Sequence, residues 1–241
     1  MGGLFGVCTN DDCLGDLFYG TDYHSHLGTV RGGMVVRSDS GFKRNIHDIS
    51  NTPFRTKFEE DLHKLHGQMG LGVISDYEDQ PLLIGSHHGL YAIATVGRVN
   101  NAQELAHRAM EGGQTHFTEL KGNEINPTEV VATLINREES IGKGIARAQQ
   151  EIDGSCTILI LTKDAIYAAR DRMGRTPLIV GTKEGSTAVT METCALPNLG
   201  YTVERELGPG EIVRISNDGI EQVNPPGDTM RICSFLWVYY G

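Results

Sequence analysis

Five cysteines and nine histidines are the side chains of this 241-residue chain best suited to chemistry, and their spacing limits what that chemistry is. Cys8, Cys13, Cys156, Cys194 and Cys233 are odd in number, widely spread and free of any CxxC pair, so neither a disulfide framework nor a zinc site is indicated. His24, His26, His87 and His88 have no carboxylate or cysteine at ligand spacing, so no metal is expected, and an active-site role stays open only for His26. As nucleophiles Cys8 and Cys13 would need a base, and buried structural thiols are the simpler reading. Asp171, Arg172 and Arg175 read as a solvated turn rather than a phosphate site. The most informative stretch is the apolar opening, Met1 to Cys8, with no polar leader. Chain termini are normally loose and exposed. A buried one suits chemistry in which Met removal exposes a nucleophile whose own α-amine is the base. Here that residue is Gly2, which has no side chain.

Composition narrows the class. With 39% hydrophobic and 22% charged residues, the chain has the make-up of a globular protein with a sizeable core. A net charge of −10 and the lack of any Lys/Arg run argue against nucleic-acid binding. The sequence shows no charged-then-apolar leader and no long apolar span, so neither secretion nor membrane insertion is expected. A reducing cytoplasm suits the unpaired cysteines.

The elements that must position these residues follow from periodicity. After the buried first strand, which both apolar faces place in the middle of a sheet, residues 13–26 predict a helix started by Asp11 or Asp12. A strand over 34–37 and a turn over 38–41 follow, then an amphipathic helix over 56–66 with solvated histidines. Residues 70–75 and 89–96 predict strands joined by a loop over 76–82, and 100–111 predicts a helix. Asn126 caps a helix opened by Pro127 and running to 137, and a second helix covers 141–152. Beyond Gly154 the chain reads as strands over 156–162, 165–170, 178–181, 188–191 and 212–216. No repeat or linker divides it, so a single α+β domain over 1–241 is expected.

Several motifs resemble one family. The register Gly2-Gly3-Leu4-Phe5-Gly6-Val7 is similar to the opening of the class II glutamine amidotransferases, apart from the Cys nucleophile. Asp171 to Pro177, Met191-Glu192-Thr193-Cys194-Ala195, Leu207 to Glu211, Asn217-Asp218-Gly219 and Ile232-Cys233-Ser234 to Tyr240 resemble, in order, the glutaminase domain of the amidophosphoribosyltransferase family. The resemblance covers nearly the whole chain. It implies a four-layer αββα sandwich of the N-terminal-nucleophile hydrolase type and a purine-biosynthesis setting. It also implies that the chain is the N-terminal domain of a longer protein whose phosphoribosyltransferase domain follows Gly241. No cofactor is expected in this domain, although Cys233 stands where part of the family places one iron-sulfur ligand. A homo-oligomer is expected.

The departures fall on the chemistry. The resemblance puts Gly2 at the nucleophile, Val73 at the arginine that clamps the glutamine carboxylate, Val96 at the oxyanion asparagine and Pro127 at the aspartate that holds the α-amine. Of the oxyanion pair only the backbone of Gly97 is kept. A gapless register puts His26-Leu27-Gly28 at the family's His-Arg-Gly segment, with Arg31-Gly32-Gly33 as a shifted alternative, so His26, Gly28 and Arg31 are candidate pocket residues. No catalytic residue of the glutaminase is retained, and the expected protein is a paralogue that has lost this half-reaction. Two classes of function remain. One is the amidotransferase-like part of an enzyme using ammonia from another source. The other is a non-catalytic assembly, regulatory or ligand-binding module.

Overall fold

The computed structural model describes residues 2–111, 117–118, 120–121 and 124–234. In chain order its elements are β1 (Gly2–Thr9), α1 (Leu14–Asp22), β2 (Arg31–Ser38), β3 (Gly41–Asp48), α2 (Phe54–Phe58), a 3-10 turn (Glu59–His63), β4 (Met69–Ser75), β5 (Leu82–Ser86), β6 (Gly89–Val99) and α3 (Ala102–Glu111). The short β7 (Leu120–Lys121) and β8 (Glu124–Ile125) lead to α4 (Pro127–Ile135), α5 (Ile141–Glu151), β9 (Gly154–Leu161), β10 (Ile166–Ala169), β11 (Ile179–Lys183), β12 (Ser186–Thr190), α6 (Ala195–Asn198), β13 (Thr202–Glu206), β14 (Ile212–Ser216) and β15 (Gly219–Asn224).

All eight residues of β1 are buried, as its two apolar faces predict. Successive side chains of a strand point to opposite faces. Leu4 therefore packs with Val73, Ala94, Val96 and Leu159 between two sheets, while Phe5 and Val7 pack on Leu14, Leu17 and Phe18 of α1. The first sheet has the order β13-β11-β12-β1-β4-β2-β3, with β1 at its centre. The second has the order β15-β14-β10-β9-β6-β5. On its outer face Tyr91, Ile93, Ile158 and Ile160 meet Leu105, Val131, Leu134 and Ile145 of α3, α4 and α5. Three apolar seams separate four layers, in the order helices, sheet, sheet, helices. The expected αββα sandwich is what the chain forms.

Some expected boundaries move. The helix expected over 13–26 ends at Asp22, and residues 23–26 are turns because His24 folds inward, its N–H donating to the Thr21 carbonyl. The helix expected over 56–66 is α2 followed by the 3-10 turn, where buried Asp61 pairs with His47 Nε2 at 2.7 Å. His63 and His66 are exposed as expected. Asn126 caps α4, its side chain accepting from the N–H groups of Thr128 and Glu129. The loop expected over 76–82 yields Leu82 to β5. Of the strands missed by periodicity, β3, β5, β13 and β15 are the four edges of the two large sheets, and β7 and β8 are two-residue strands that pair with each other.

Candidate functional site

The N-terminal end of β1 is where the candidate residues converge. Ser75 pairs with Gly2 on one side and with Arg31 on the other, so Gly2, Ser75 and Arg31 form one row across three strands. Two rows inward, Leu4, Val73 and Gly33 form the parallel row, and the Leu4 and Val73 side chains point between the sheets. A β-carbon on Gly2 would share that face. It would lie 3.2 Å from Val96 Cγ2 and 2.5 Å from the Ile74 carbonyl oxygen. Gly2, Val73 and Val96 are thus brought to one corner, and their side chains offer neither a nucleophile nor a hydrogen-bond donor.

Gly97 follows with φ +141°, a conformation that favours glycine, because a β-carbon there would run into the Ser155 carbonyl of the neighbouring strand. Pro127 occupies the first turn of α4, where its missing N–H costs nothing. It reaches the corner through its neighbour: Thr128 Oγ1 and Thr95 Oγ1 are 2.6 Å apart, and Thr95 precedes Val96. Thr128 donates from Oγ1 to Glu78 Oε2 at 2.5 Å. Gln80 accepts from Thr95 N at 2.7 Å and donates to Thr95 O at 3.1 Å. Thr128, Thr95 and Gln80 are all buried, so this network is an internal polar clamp between the 76–81 loop, β6 and α4. Nothing in the local sequence around Glu78 or Gln80 marks them for it.

The loop between α1 and β2 closes the other side. A β-carbon on Gly28 would lie 2.9 Å from Ile74 Cγ2 and 3.3 Å from Asp76 Oδ1, so this glycine permits the loop to lie on β4. Thr29 N donates to Asp76 Oδ1 at 2.8 Å. Arg31 is paired with Asp79 at 2.6 Å and with Asp48. His26 Nε2 lies 2.9 Å from Glu192 Oε1. Glu192 is drawn here because Met191 N donates to the Leu4 carbonyl at 3.3 Å, extending the β12–β1 ladder. Behind β1 the fully buried His24 sits between the Gly20 carbonyl (Nδ1, 2.8 Å) and Thr190 Oγ1 (Nε2, 3.0 Å). Burial lowers its pKa to about 4, so it is neutral at physiological pH.

None of the four thiols on the sandwich, Cys8, Cys13, Cys156 and Cys194, is poised for attack. Cys8 is buried, hydrogen-bonded to Asn217 Oδ1 at 3.0 Å and pushed up to about 11 by desolvation. Burial also pushes up Cys13 and Cys156. Cys194 donates to Glu192 Oε2 at 3.5 Å, and burial and then that carboxylate raise its pKa. Such thiols are protonated at neutral pH and poor nucleophiles. Among the described residues no group of His, Cys, Asp and Glu is arranged to hold a metal ion, and no helix is long and apolar enough to cross a membrane.

The solvated-turn reading of Asp171 to Arg175 needs correction. Asp171 is buried at 1% exposure, and its carboxylate accepts from Met173 N, Thr176 N and Thr176 Oγ1 at 3.0–3.1 Å. Arg170 beneath it is also buried, donating to the carbonyls of Thr176, Gly174 and Leu207 and pairing with Glu206. The turn is built from inside, and only Arg172 stands in solvent.

Comparison with known proteins agrees with this architecture. Residues 66–198 match a family described as "Glutamine amidotransferase domain". An amidophosphoribosyltransferase of Methanocaldococcus jannaschii is 26% identical over 100% of this chain and 56% of its own length. One from Bacillus subtilis is 28% identical over 99% of this chain and 51% of its own. The solved structure of the B. subtilis glutamine phosphoribosylpyrophosphate amidotransferase, complexed with ADP and GMP, superposes with a TM-score of 0.86 at 26% identity, covering 99% of this chain and 52% of that one. The chain thus spans about half the length of these relatives. The match to the family over more than half of the sequence, on a fold shared along almost the whole chain, shows that this protein belongs to the class II glutamine amidotransferase domain family and is related to the amidophosphoribosyltransferases.

Proposed function

We propose that this domain keeps the class II amidotransferase fold but does not hydrolyse glutamine, and that it serves as the amidotransferase-like half of an amidophosphoribosyltransferase-type protein. The observation that carries the reading is the corner at Gly2: where the resemblance implies a thiolate, there is a glycine whose β-carbon position is occupied at 2.5 Å by the Ile74 carbonyl oxygen and faced by Val96. Acyl transfer from glutamine needs a nucleophile, donors aimed at the developing oxyanion and partners for the substrate's carboxylate and ammonium. Gly2 supplies no nucleophile. Val96 supplies no oxyanion donor, a loss of about 3 kcal/mol in comparable sites. Val73 and Pro127 supply no charge, so a zwitterion entering this corner would forfeit its hydration without compensation.

On this reading the attached half is a phosphoribosyltransferase domain that receives ammonia from a source other than glutamine, and the compartment is the cytoplasm. The test is incubation of the purified chain with L-glutamine while ammonia and glutamate are followed. Neither should form above the rate without protein. Glutamate formation proportional to protein, and surviving Cys8→Ala and Cys13→Ala, would overturn the proposal.

A further inference from the structure

On the outer face of the second sheet, separated from the Gly2 corner by β9, lies a cleft of about 240 Å³ lined by Arg172, Arg175, Arg231, Asp153, Cys156 and Gln149, among others. We propose that this cleft is an anion site for a phosphate monoester, with the phosphate held by Arg172, Arg175 and Arg231. Cys156 faces Gly97 in the β6–β9 ladder, but its side chain packs on the helix side of the sheet, whereas Val96 points between the sheets. The cleft is therefore distinct from the corner described above.

The charge pattern is the first argument. The chain carries 31 acidic and 21 basic residues, and most of its arginines in defined contacts meet carboxylates, as Arg31, Arg55, Arg147, Arg170 and Arg205 do. Among the described residues, none of the three guanidiniums in this cleft is ion-paired: Arg175 donates to the Gly154 carbonyl at 3.2 Å, and Arg231 is tied only through its backbone N–H. One carboxylate, Asp153, shares the lining and leaves an excess of two positive charges. Like charges that line one cleft repel one another, and a phosphate carrying about −1.5 to −2 charges at neutral pH relieves that repulsion. Guanidinium forks match phosphate oxygens in geometry as well as in sign.

Preorganisation is the second argument. The turn bearing Arg172 and Arg175 is fixed from within by buried Asp171 and Arg170, and Gly210 N donates to the Asp171 carbonyl at 3.0 Å. Arg231 N donates to the Met173 carbonyl at 2.8 Å, which stitches the third arginine's segment to the same turn. The backbones that carry the three arginines, from two segments, are thus tied to one frame before any ligand arrives, which lowers the ordering cost of binding. An adjoining hollow of about 410 Å³ shares Gln149, Arg172 and Met173 with the cleft. Ala146, Pro209, Gly210, Pro225 and Gly227 give it an uncharged wall against which the ester's organic part can rest, while Asp228, Asn224 and Thr229 also line it and can meet the ester's hydroxyl groups.

Calorimetric titration of the purified chain with inorganic phosphate and with glycerol 3-phosphate, at low ionic strength, tests the proposal. One saturable site per chain is expected, with the ester bound at least as tightly as phosphate. Arg172→Ala and Arg231→Ala should each weaken binding by about tenfold or more, and Arg172→Lys by less than Arg172→Ala. Arg137→Ala, which removes an exposed arginine outside the cleft, should change nothing. Unfolding midpoints of the variants separate a lost site from a lost fold. No saturation up to about 10 mM ligand, or an equal loss with Arg137→Ala, would overturn the proposal.

Discussion

The carbonyl oxygen of Ile74 stands 2.5 Å from the point that a β-carbon on Gly2 would occupy, closer than side-chain carbons approach backbone oxygens. The neighbouring strand has closed over the position where the resemblance implies a nucleophile, so restoring the chemistry means moving β4 as well as replacing one residue.

Gly2→Cys is accordingly expected to lack glutaminase activity and to lower stability by about 1–3 kcal/mol, the usual cost of overpacking a tight core. Ammonia release and a urea unfolding curve on the same preparation check both halves. Measurable turnover is expected only when Val73→Arg, Val96→Asn and Pro127→Asp are added, because positioning of the substrate is worth orders of magnitude in rate. Robust hydrolysis by the single variant would show that the corner still recognises glutamine.

His24 makes the fold sensitive to mild acid. Its pKa in the folded chain, about 4, lies below the unfolded value near 6.5. Above that unfolded value the imidazole is neutral in both states. As pH falls through 6.5 the unfolded chain takes up a proton that the folded chain refuses, and stability drops. Between pH 7.5 and 5 the loss from this one group is about 2 kcal/mol. Urea midpoints across that range should fall for the parent and flatten for His24→Gln, while equal slopes in the two would refute the assignment.

The clamp around Thr128 is expected to be structural. Thr128→Val takes a hydrogen-bond partner from the buried Thr95 Oγ1, a loss that costs about 1–3 kcal/mol. Asn126→Ala, which removes the cap one turn away, should cost about 1 kcal/mol. Denaturant unfolding measures both, and a neutral Thr128→Val would mean that the network adds nothing to stability.

Cys194 should be the first of the four thiols on the sandwich to react with a disulfide reagent, because Cys8, Cys13 and Cys156 are buried. Its rate at neutral pH should be slow for an exposed thiol, since burial and Glu192 raise its pKa. Glu192→Gln removes the carboxylate and should speed the reaction. Labelling of Cys233 is separated by peptide mapping, and an unchanged Cys194 rate in the variant would count against the Glu192 contact.

What the sequence alone determined is the buried architecture. Strands covered on both sides must be apolar on both faces, so β1, β4, β6 and β9 are legible in a single chain; of the missed strands, β3, β5, β13 and β15 are edge strands paired on one side only, and β7 and β8 are too short to show a period. The Asn126–Pro127 cap is a local signal and reads correctly as such, and the motifs from Asp171 to Glu211 identify the family although the solvated-turn reading of Asp171 to Arg175 does not hold. Tertiary structure alone decided the rest. That Asp171 and Arg170 are an internal scaffold follows from burial by segments as distant as Leu207 and Gly210. That His26 meets Glu192, and that Arg172, Arg175 and Arg231 share one cleft, depends on bringing together residues remote in the chain. The closure of Ile74 over Gly2 is of the same kind: an approach between two strands is set by the packing of the whole sheet, and no residue type announces it.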